Sequence, residues 1–219
     1  MGEYANLLTL PDEFALLLHK PNGSHYVSAN PNTATAAAEI GELVLRGRMA
    51  PRGTAIQLLD AASCGQPWMD ELLAEFQRAA GRDNLPVELS WWLPMRTTAF
   101  FAHRSVLVDR GVLRRERRTF LGFLPDDRYH PDRAIRGALL AELHALARDE
   151  LPIDGRLALL GTLVHRSGLV HALDFDRGER TRLKSLANRE DLGDDVTPAV
   201  TAAILAMTTL PTTVVLADG

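Results

Sequence analysis

Apolar residues recur at the three- and four-residue spacing of an α-helix along most of the chain, and this periodicity limits the fold more than any other feature. Several of the periodic segments end at a glycine. The segments around Ile40, Phe76 and Leu107 stop at Gly47, Gly81 and Gly111. Glycine ends a helix readily because it takes a positive φ without a Cβ clash. The sequence therefore predicts a succession of helices with defined ends.

Helix starts are also marked. Thr9 and Asp12 match a capping box, ahead of a helix that we expect to run to about Lys20. The helices that supply the core are predicted to begin near Ala36, Pro131, Asp154 and Thr197. Short strands are expected at AIQLL (55–59) and as a β-hairpin in GVLRRERRTFLGFL (111–124). Together these patterns predict a mainly α, single-domain helical bundle over residues 1–219, with about eight helices and short β-hairpins.

Composition narrows the functional classes. The 219 residues carry a net charge of −4, so the chain lacks the strong positive field that usually accompanies nucleic-acid binding. Cys64 is the single cysteine, which excludes an intramolecular disulfide and fits a reducing compartment. The N-terminus does not match a signal peptide, and the apolar stretch 199–217 is interrupted by Pro211. We expect a cytoplasmic protein whose last apolar segment is a buried helix and a strand-like tail.

No complete catalytic motif occurs in the sequence, which predicts a protein that is not an enzyme and needs no cofactor or metal. The best alternative is HRSGLVHALDFDRGE (165–179), where His165, His171, Asp174 and Asp176 are metal-ligand types. Their spacing does not place all four on one helical face. Cys64 has no motif that supplies a base, so it is interpreted as an incidental thiol.

Nearly all the positive charge is arginine, and the arginines fall into two groups. Arg46 and Arg48 flank Gly47 at the negative end of a helix dipole, where we interpret them as capping and surface-pairing residues, with anion binding as the alternative. The second group lies in a locally basic stretch between a tryptophan pair and an apolar hairpin. Basic residues beside an apolar tip are typical of a peripheral membrane protein. The candidate lipid-binding residues are Trp91, Trp92, Arg96, Arg104, Arg114, Arg115, Arg117, Arg118, Phe120 and Phe123.

Several segments resemble, in order, the Golgi phosphoprotein 3-like family, including its bacterial members. They are LTLPDEFALLLHKPNG, AAAEIGELVLRGRM, LLDAASCGQPWMDELL, LVDRGVLRRERRTFLGFLP, RLALLGTLVHRSGLVHAL and AVTAAILAM. The resemblance spans almost the whole chain. It implies a mainly helical domain without catalysis, and its eukaryotic members bind phosphatidylinositol 4-phosphate in Golgi membranes and act as adaptors for glycosyltransferase tails.

The headgroup residues that the resemblance implies are not retained. A tryptophan before the second helix, an arginine early in it and two arginines on the fourth helix correspond here to Val27 or Tyr26, Ala36, Thr97 and Phe100. Arg96 and Arg104 lie near the last two positions. The family implies a fold and a membrane association more strongly than it implies one lipid.

We therefore expect a peripheral membrane or adaptor-type protein at the inner face of the membrane. Its partners would be an anionic phospholipid surface, with phosphoinositides among the candidates, and proteins that it recruits. A winged-helix-like DNA-binding protein is the alternative, because helix, glycine, strand and basic hairpin also describe that class, with RRERR (114–118) as the wing. The net negative charge disfavours it, and no nucleic-acid partner is expected.

Overall fold

The computed structural model describes residues 8–120, 124–188 and 197–208, with the side chains of Phe120 and Pro125 excepted. The helices in these ranges are α1 (Leu10–Leu17), α2 (Pro31–Leu45), α3 (Pro67–Ala80), α4 (Leu89–Trp92), α5 (Ala99–Asp109), α6 (Arg133–Ala147), α7 (Gly155–Arg166), α8 (Arg177–Ala187) and α9 (Thr197–Thr208). The strands are β1 (Met49–Arg52), β2 (Ala55–Leu58), β3 (Val87–Glu88), β4 (Leu113–Glu116), β5 (Thr119–Phe120), β6 (Leu124–Pro125) and β7 (Arg128–Pro131). The mainly α architecture with short hairpins is confirmed.

Helix α2 lies at the centre of the molecule and packs against α1, α5, α7 and α9. Every residue from Ala34 to Val44 is buried, including Glu39 and Glu42. Helices α2 and α9 pack together and each buries several alanines, small side chains that let neighbouring backbones approach closely. Gly41 lets α7 approach in the same way, because a Cβ there would lie 2.7 Å from a methyl of Leu159. One continuous hydrophobic cluster results, to which all the long helices contribute.

Two helices end in the same way. The N–H of Arg48 donates to Leu43 O at 2.9 Å and that of Gly47 to Val44 O at 2.9 Å, while Gly47 has φ +67°. Val112 and Gly111 repeat these bonds at the end of α5, and Gly111 has φ +73°. This is the Schellman arrangement, and it turns each helix directly into a strand. Both glycine ends are confirmed as the sequence predicts them.

Some boundaries differ from prediction. Helix α2 begins at Pro31 rather than near Ala36, because Asn30 takes a left-handed conformation (φ 48°) ahead of a proline that suits the first helical position. Helix α1 ends at Leu17 rather than near Lys20, because His19 forms an antiparallel bridge with His25.

The basic hairpin is longer than predicted. β4 pairs with β7, and β5 pairs with β6, so the antiparallel pairing reaches Pro131. Its predicted range stops at Leu124, before the strand that pairs with the arginine-rich β4. A separate three-stranded sheet, in the order β1-β2-β3, covers another part of the helical core.

Candidate functional site

A tight turn after α1 brings two histidines side by side. The N–H of Tyr26 donates to Leu18 O at 3.0 Å and that of Lys20 to Ser24 O at 2.8 Å, and His19 and His25 face each other across the resulting bridge. Gly23, at the tip, has φ +82° and accepts a 2.8 Å hydrogen bond from the N–H of Tyr129 in β7. The turn is therefore fixed to the basic hairpin.

The ring of Phe100 in α5 packs against both of these histidines, on the side of the hairpin. Its ring centroid lies 5.2 Å from that of His19, in a stacked arrangement, and 5.2 Å from that of His25. Arg104 follows one turn later on α5 and therefore projects from the same face. Its guanidinium carbon lies 4.0 Å from the Tyr129 ring centroid and 4.8 Å from that of Phe101, within cation–π range.

Two further cations complete the group. The Lys20 ammonium lies 4.8 Å from the centre of the Tyr26 ring. Arg136 of α6 interacts electrostatically with the Tyr26 hydroxyl, and its buried Nε has no hydrogen-bond partner among the described residues. The Tyr26 hydroxyl itself donates to Ala172 O at 3.1 Å. We call the five side chains His19, Lys20, His25, Arg104 and Arg136 the basic cluster.

Within the described part of the chain, none of the five members of the basic cluster forms an ion pair with a carboxylate, although Asp127 attracts Arg104 without pairing with it. Burial lowers the pKa of Arg104 and of Arg136, which are partly withdrawn from water. Burial lowers the pKa of His25 as well, and Arg104 and Lys20 add to this effect. Unpaired, half-buried cations that repel one another are favourable to the binding of an anion.

His19 is held neutral in this environment. Its ring is almost wholly buried, and burial, followed by the charges of Arg104 and Arg136, lowers its pKa to about 4 despite a hydrogen bond to Ala15 O. Because the Ala15 carbonyl can only accept, Nδ1 carries the proton in that 2.8 Å bond. Nε2 is then an unprotonated and buried acceptor that has no partner among the described residues.

Apolar side chains adjoin the basic cluster in sequence. Val27 follows Tyr26 and is 70% exposed, while Phe101 follows Phe100 and is 43% exposed. An exposed valine alone would need no explanation. Because Val27 and Phe101 adjoin unpaired cations, however, they place exposed apolar surface beside positive charge, which is typical of proteins that bind at membrane interfaces.

Two of the predicted lipid-binding residues do not present a free side chain at the surface, because Trp92 is buried and Arg96 is only 14% exposed and paired with an internal carboxylate. Trp92 is fully buried, packs on Phe76 with ring centroids 5.0 Å apart and donates Nε1–H to Glu75 Oε1 at 2.6 Å. Arg96 forms a bidentate pair with the buried Glu39, at 2.9 and 2.8 Å. Their partners are 17 and 57 positions away in sequence and use the groups that would contact a lipid. Trp91 remains 56% exposed.

The hairpin arginines divide into paired and unpaired residues. Arg115 donates Nε–H to Asp127 at 2.8 Å, and Arg118 donates to Glu116 at 2.9 Å. Arg114 and Arg117 are exposed and form no ion pair with the described residues. Phe123 lies outside the described residues, and so does the side chain of Phe120, so their lipid contact stays a prediction. Of the predicted set, only Arg104 belongs to the basic cluster.

A second concentration of charge is internal. His103 of α5 is bonded through Nδ1 to Asp12 Oδ1 at 2.7 Å and through Nε2 to Glu39 Oε1 at 3.2 Å. Carboxylates only accept, so both ring nitrogens carry protons and the imidazole is positively charged. Although burial opposes this charge, the bonds to Asp12 and Glu39 raise the pKa of His103 to about 9. This network is sealed from solvent and serves packing.

The alternative metal site is not assembled. Among the described residues, no three histidine, cysteine, aspartate or glutamate side chains converge on one point. Asp176 instead caps α8, accepting from the N–H of Glu179 at 2.8 Å, and His165 lies in the last turn of α7.

Arg46 and Arg48 form ion pairs at the end of α2, as their interpretation as surface-pairing residues predicts. Arg46 pairs with Glu42 at 2.7 Å, and Arg48 pairs with Asp60. Both belong to the end of α2 and its surface and not to the basic cluster.

Four members of the basic cluster were missed by sequence reasoning. His19, Lys20 and His25 occur in HKPNGSH, where the N-G dipeptide indicates a turn that returns His25 toward His19. Arg136 gives no local signal, because it comes from a helix more than a hundred positions later. Of the positions that correspond to the family's headgroup residues, Tyr26 and Phe100 contact cluster side chains, whereas Ala36 is buried in α2.

None of the helices in the described ranges has the length and apolarity needed to cross a membrane. A comparison with curated proteins finds no match. A comparison with family models matches Golgi phosphoprotein 3 (GPP34) over residues 10–207, which spans α1 to α9 and includes the whole basic cluster. On this match the chain belongs to the Golgi phosphoprotein 3 (GPP34) family.

Proposed function

We propose that this protein is a non-enzymatic peripheral membrane protein whose basic cluster binds the headgroups of anionic phospholipids. The observation that carries the proposal is the set of cations, Lys20, Arg104 and Arg136, that are held on aromatic rings or half-buried without a carboxylate partner among the described residues. Family membership supports a membrane role, since its name derives from a Golgi protein.

The energetics favour local rather than overall attraction. A lysine or arginine near an anionic surface contributes about 1 kcal/mol, whereas the net charge of −4 disfavours approach of the whole molecule. Val27 and Phe101 would enter the interfacial layer beside the cluster, and the unpaired Arg114 and Arg117 of the hairpin would add to the attraction. Binding of this kind is weak and reversible, which suits a cytoplasmic protein that associates with the inner face of a membrane.

Lipid selectivity is expected to be low. The tryptophan and arginines that the family's eukaryotic members use for phosphatidylinositol 4-phosphate are not present at the corresponding positions. The cations here come from the turn after α1, from α5 and from α6. We expect them to neutralise a phosphate group but not to form the contacts to one sugar ring that would select a particular lipid. An adaptor role toward other proteins stays a prediction from the family resemblance.

Sedimentation with phosphatidylcholine vesicles that contain phosphatidylglycerol tests the proposal. Arg104→Gln should reduce binding several-fold, and Arg52→Gln, which removes an exposed arginine outside the cluster, should not. Vesicles with phosphatidylinositol 4-phosphate at equal charge should bind no more tightly. Tight and selective binding to that lipid would contradict the low selectivity, and binding unaffected by Arg104→Gln would contradict the site.

The DNA-binding alternative is tested in parallel. Arg115 and Arg118 of the RRERR segment are paired with Asp127 and Glu116, which leaves fewer free cations for a phosphate backbone. We expect no shift of a duplex DNA probe at moderate salt. A salt-dependent shift without vesicle binding would favour the nucleic-acid function instead.

A further inference from the structure

The basic cluster contains one group that can change its charge near neutral pH. Lys20, Arg104 and Arg136 remain charged, and His19 remains neutral because its pKa is about 4. His25 is only half-buried, and its pKa is lowered by burial and by the charges of Arg104 and Lys20. At neutral pH and without a ligand, His25 is therefore predominantly neutral.

The surroundings of His25 explain why an anion would alter its protonation. His19 faces it across the antiparallel bridge. The ring centroid of Phe100 lies 5.2 Å from that of His25, and Arg104 follows one turn later on the same helix. Arg136 approaches from α6 and acts on His19. All of these neighbours are cationic, neutral or aromatic, so nothing in this set stabilises a charged imidazole.

The hairpin offers carboxylates, but they are occupied. Asp127 accepts from Arg115, and Glu116 accepts from Arg118 and from His130 Nε2 at 2.8 Å. Tyr129 of β7 contributes its ring to Arg104. His25 has no carboxylate partner among the described residues, so an external anion would supply the negative charge that its protonated form lacks.

We propose that binding of an anionic lipid headgroup to the basic cluster is coupled to uptake of one proton by His25, so that the protein binds anionic membranes more tightly as the pH falls. The inference rests on the proposed function. A phosphate group that binds Lys20 and Arg104 reduces the repulsion that these two charges exert on His25. By linkage, the protonated imidazole in turn strengthens the binding of that phosphate.

The direction of the pH dependence follows from a comparison of the pKa of His25 in the free and in the bound protein. In the free protein the pKa of His25 lies below its ordinary value, and in the bound protein it lies higher. Affinity is then lowest above the bound pKa and rises as the pH falls through it, reaching its limit below the free pKa. Uptake of one proton allows a change of at most about tenfold per pH unit.

Vesicles of phosphatidylcholine and phosphatidylglycerol provide a suitable probe, because neither headgroup changes its charge between mildly acidic and neutral pH. We expect the apparent affinity of the unmodified protein to rise about three- to tenfold between about pH 7.5 and about pH 5.5. Calorimetry in two buffers of different ionisation enthalpy should show proton uptake on binding that averages about a quarter to a half of a proton over this range, because the slope of log affinity against pH equals the number of protons taken up. No pH dependence, or no proton uptake, would overturn the coupling.

Two substitutions of the same residue fix its charge in opposite ways. His25→Gln should bind at the weak, high-pH level at every pH, and His25→Arg should bind at the strong, low-pH level at every pH. His144→Gln serves as the control, because His144 pairs with Glu179 outside the cluster and its loss should leave the pH dependence unchanged. A His25→Gln protein that keeps the full pH dependence would assign it to another group and overturn the inference.

Failure of the proton coupling and failure of the proposed function would give different experimental results. Salt-sensitive vesicle binding that does not change with pH would leave the proposed function in place and remove only the coupling. Absence of binding to the phosphatidylglycerol vesicles at every pH would overturn both. Equal competition by soluble inorganic sulfate would indicate a site for free anions rather than for a membrane headgroup, and would also contradict the proposal.

Discussion

At the scale of single residues, the partner of a charged side chain decides what it does. Arg96 and Arg104 lie on either side of Phe100 in the sequence, and both are partly withdrawn from water. Arg96 meets the buried Glu39, which makes it part of the interior. Arg104 lies against aromatic rings and forms no ion pair with the described residues, which leaves its charge free for the ligand that we propose. Two arginines that look equivalent in the sequence therefore differ in whether their charge is already paired within the chain.

Substitution of these two arginines should separate stability from binding. Arg96→Gln removes the bidentate partner of a buried carboxylate and should lower the free energy of unfolding by about 3 kcal/mol. Arg104→Gln removes cation–π contacts at a half-exposed site and should lower it by less than about 1 kcal/mol. Urea denaturation followed by circular dichroism measures both. A larger loss for Arg104→Gln would contradict the assignment of Arg96 to the interior.

His103 should make stability depend on alkaline pH. Its pKa is raised to about 9 in the folded protein, so its charge favours folding fully below its ordinary pKa. That contribution decreases as the pH rises through about 9. The unmodified protein should therefore lose stability between about pH 7 and about pH 10. His103→Gln should be less stable at neutral pH, and its stability should vary less over that range, when both are measured by urea denaturation at several pH values.

At the scale of elements, sequence reasoning is most accurate where the signal is local. The glycine ends of α2, α3 and α5, the Thr9 capping box and the start of α9 at Thr197 follow from neighbouring residues, and all are confirmed. Helix α8 was not identified, although Asp176 and Glu179 form a capping box before Leu183 and Leu186. In the sequence, Asp176 is instead among the candidate metal ligands.

The candidate site was less predictable because its contacts cross the chain. Adjacent residues on a helix point about 100° apart, so Trp91 is exposed while Trp92 is buried. The sequence shows a tryptophan pair but not which member faces solvent. Similarly, the partner of Arg96 is on α2, and Arg136 reaches Tyr26 from α6. Such long-range pairings have no periodic signal.

The helix end at Gly47 offers a test of local conformation against ion pairing. Gly47→Val should cost about 1 to 3 kcal/mol of unfolding free energy, because valine is strained at φ +67°. A Cβ there would meet no atom within 4 Å, so crowding adds nothing. Arg48→Ala removes an exposed ion pair and should cost less than about 1 kcal/mol. Denaturation midpoints in the reverse order would contradict the capping interpretation.

Gly23 has the same backbone requirement together with close packing. A Cβ at Gly23 would lie 2.8 Å from Arg128 Cβ and 2.9 Å from His130 Nε2. Gly23→Ala should therefore push the 18–26 turn away from β7 and displace His25, whereas Gly47→Ala strains only the backbone. We expect Gly23→Ala to be the less stable variant and to lose vesicle binding. Equal stability and intact binding would indicate that the turn does not organise the cluster.

At the scale of the whole molecule, charge is sorted by position. The central helix α2 places Glu39 and Glu42 inside the core, and Arg96, Arg46 and Arg156 are drawn to them as partners. The basic cluster, on the other side of Phe100, has no such acid among the described residues. A chain with a net charge of −4 thereby presents a local positive surface. This separation, rather than overall charge, is what the proposed function requires.

It also predicts an unusual salt dependence of vesicle binding. At an ionic strength of about 0.01 M the Debye length is about 30 Å, so an anionic vesicle senses the net charge of −4 as well as the cluster. At about 0.1 M the length is about 10 Å and the cluster is sensed almost alone, while at about 1 M even that attraction is screened. Sedimentation with phosphatidylglycerol vesicles should therefore show a binding maximum at intermediate salt.

Arg104→Gln should lower the maximum without moving it, because that change weakens the local attraction and leaves the molecule negative. Binding that is strongest at the lowest salt would mean that the cluster outweighs the net charge at every distance, and salt-independent binding would point to apolar insertion through Val27 and Phe101 instead.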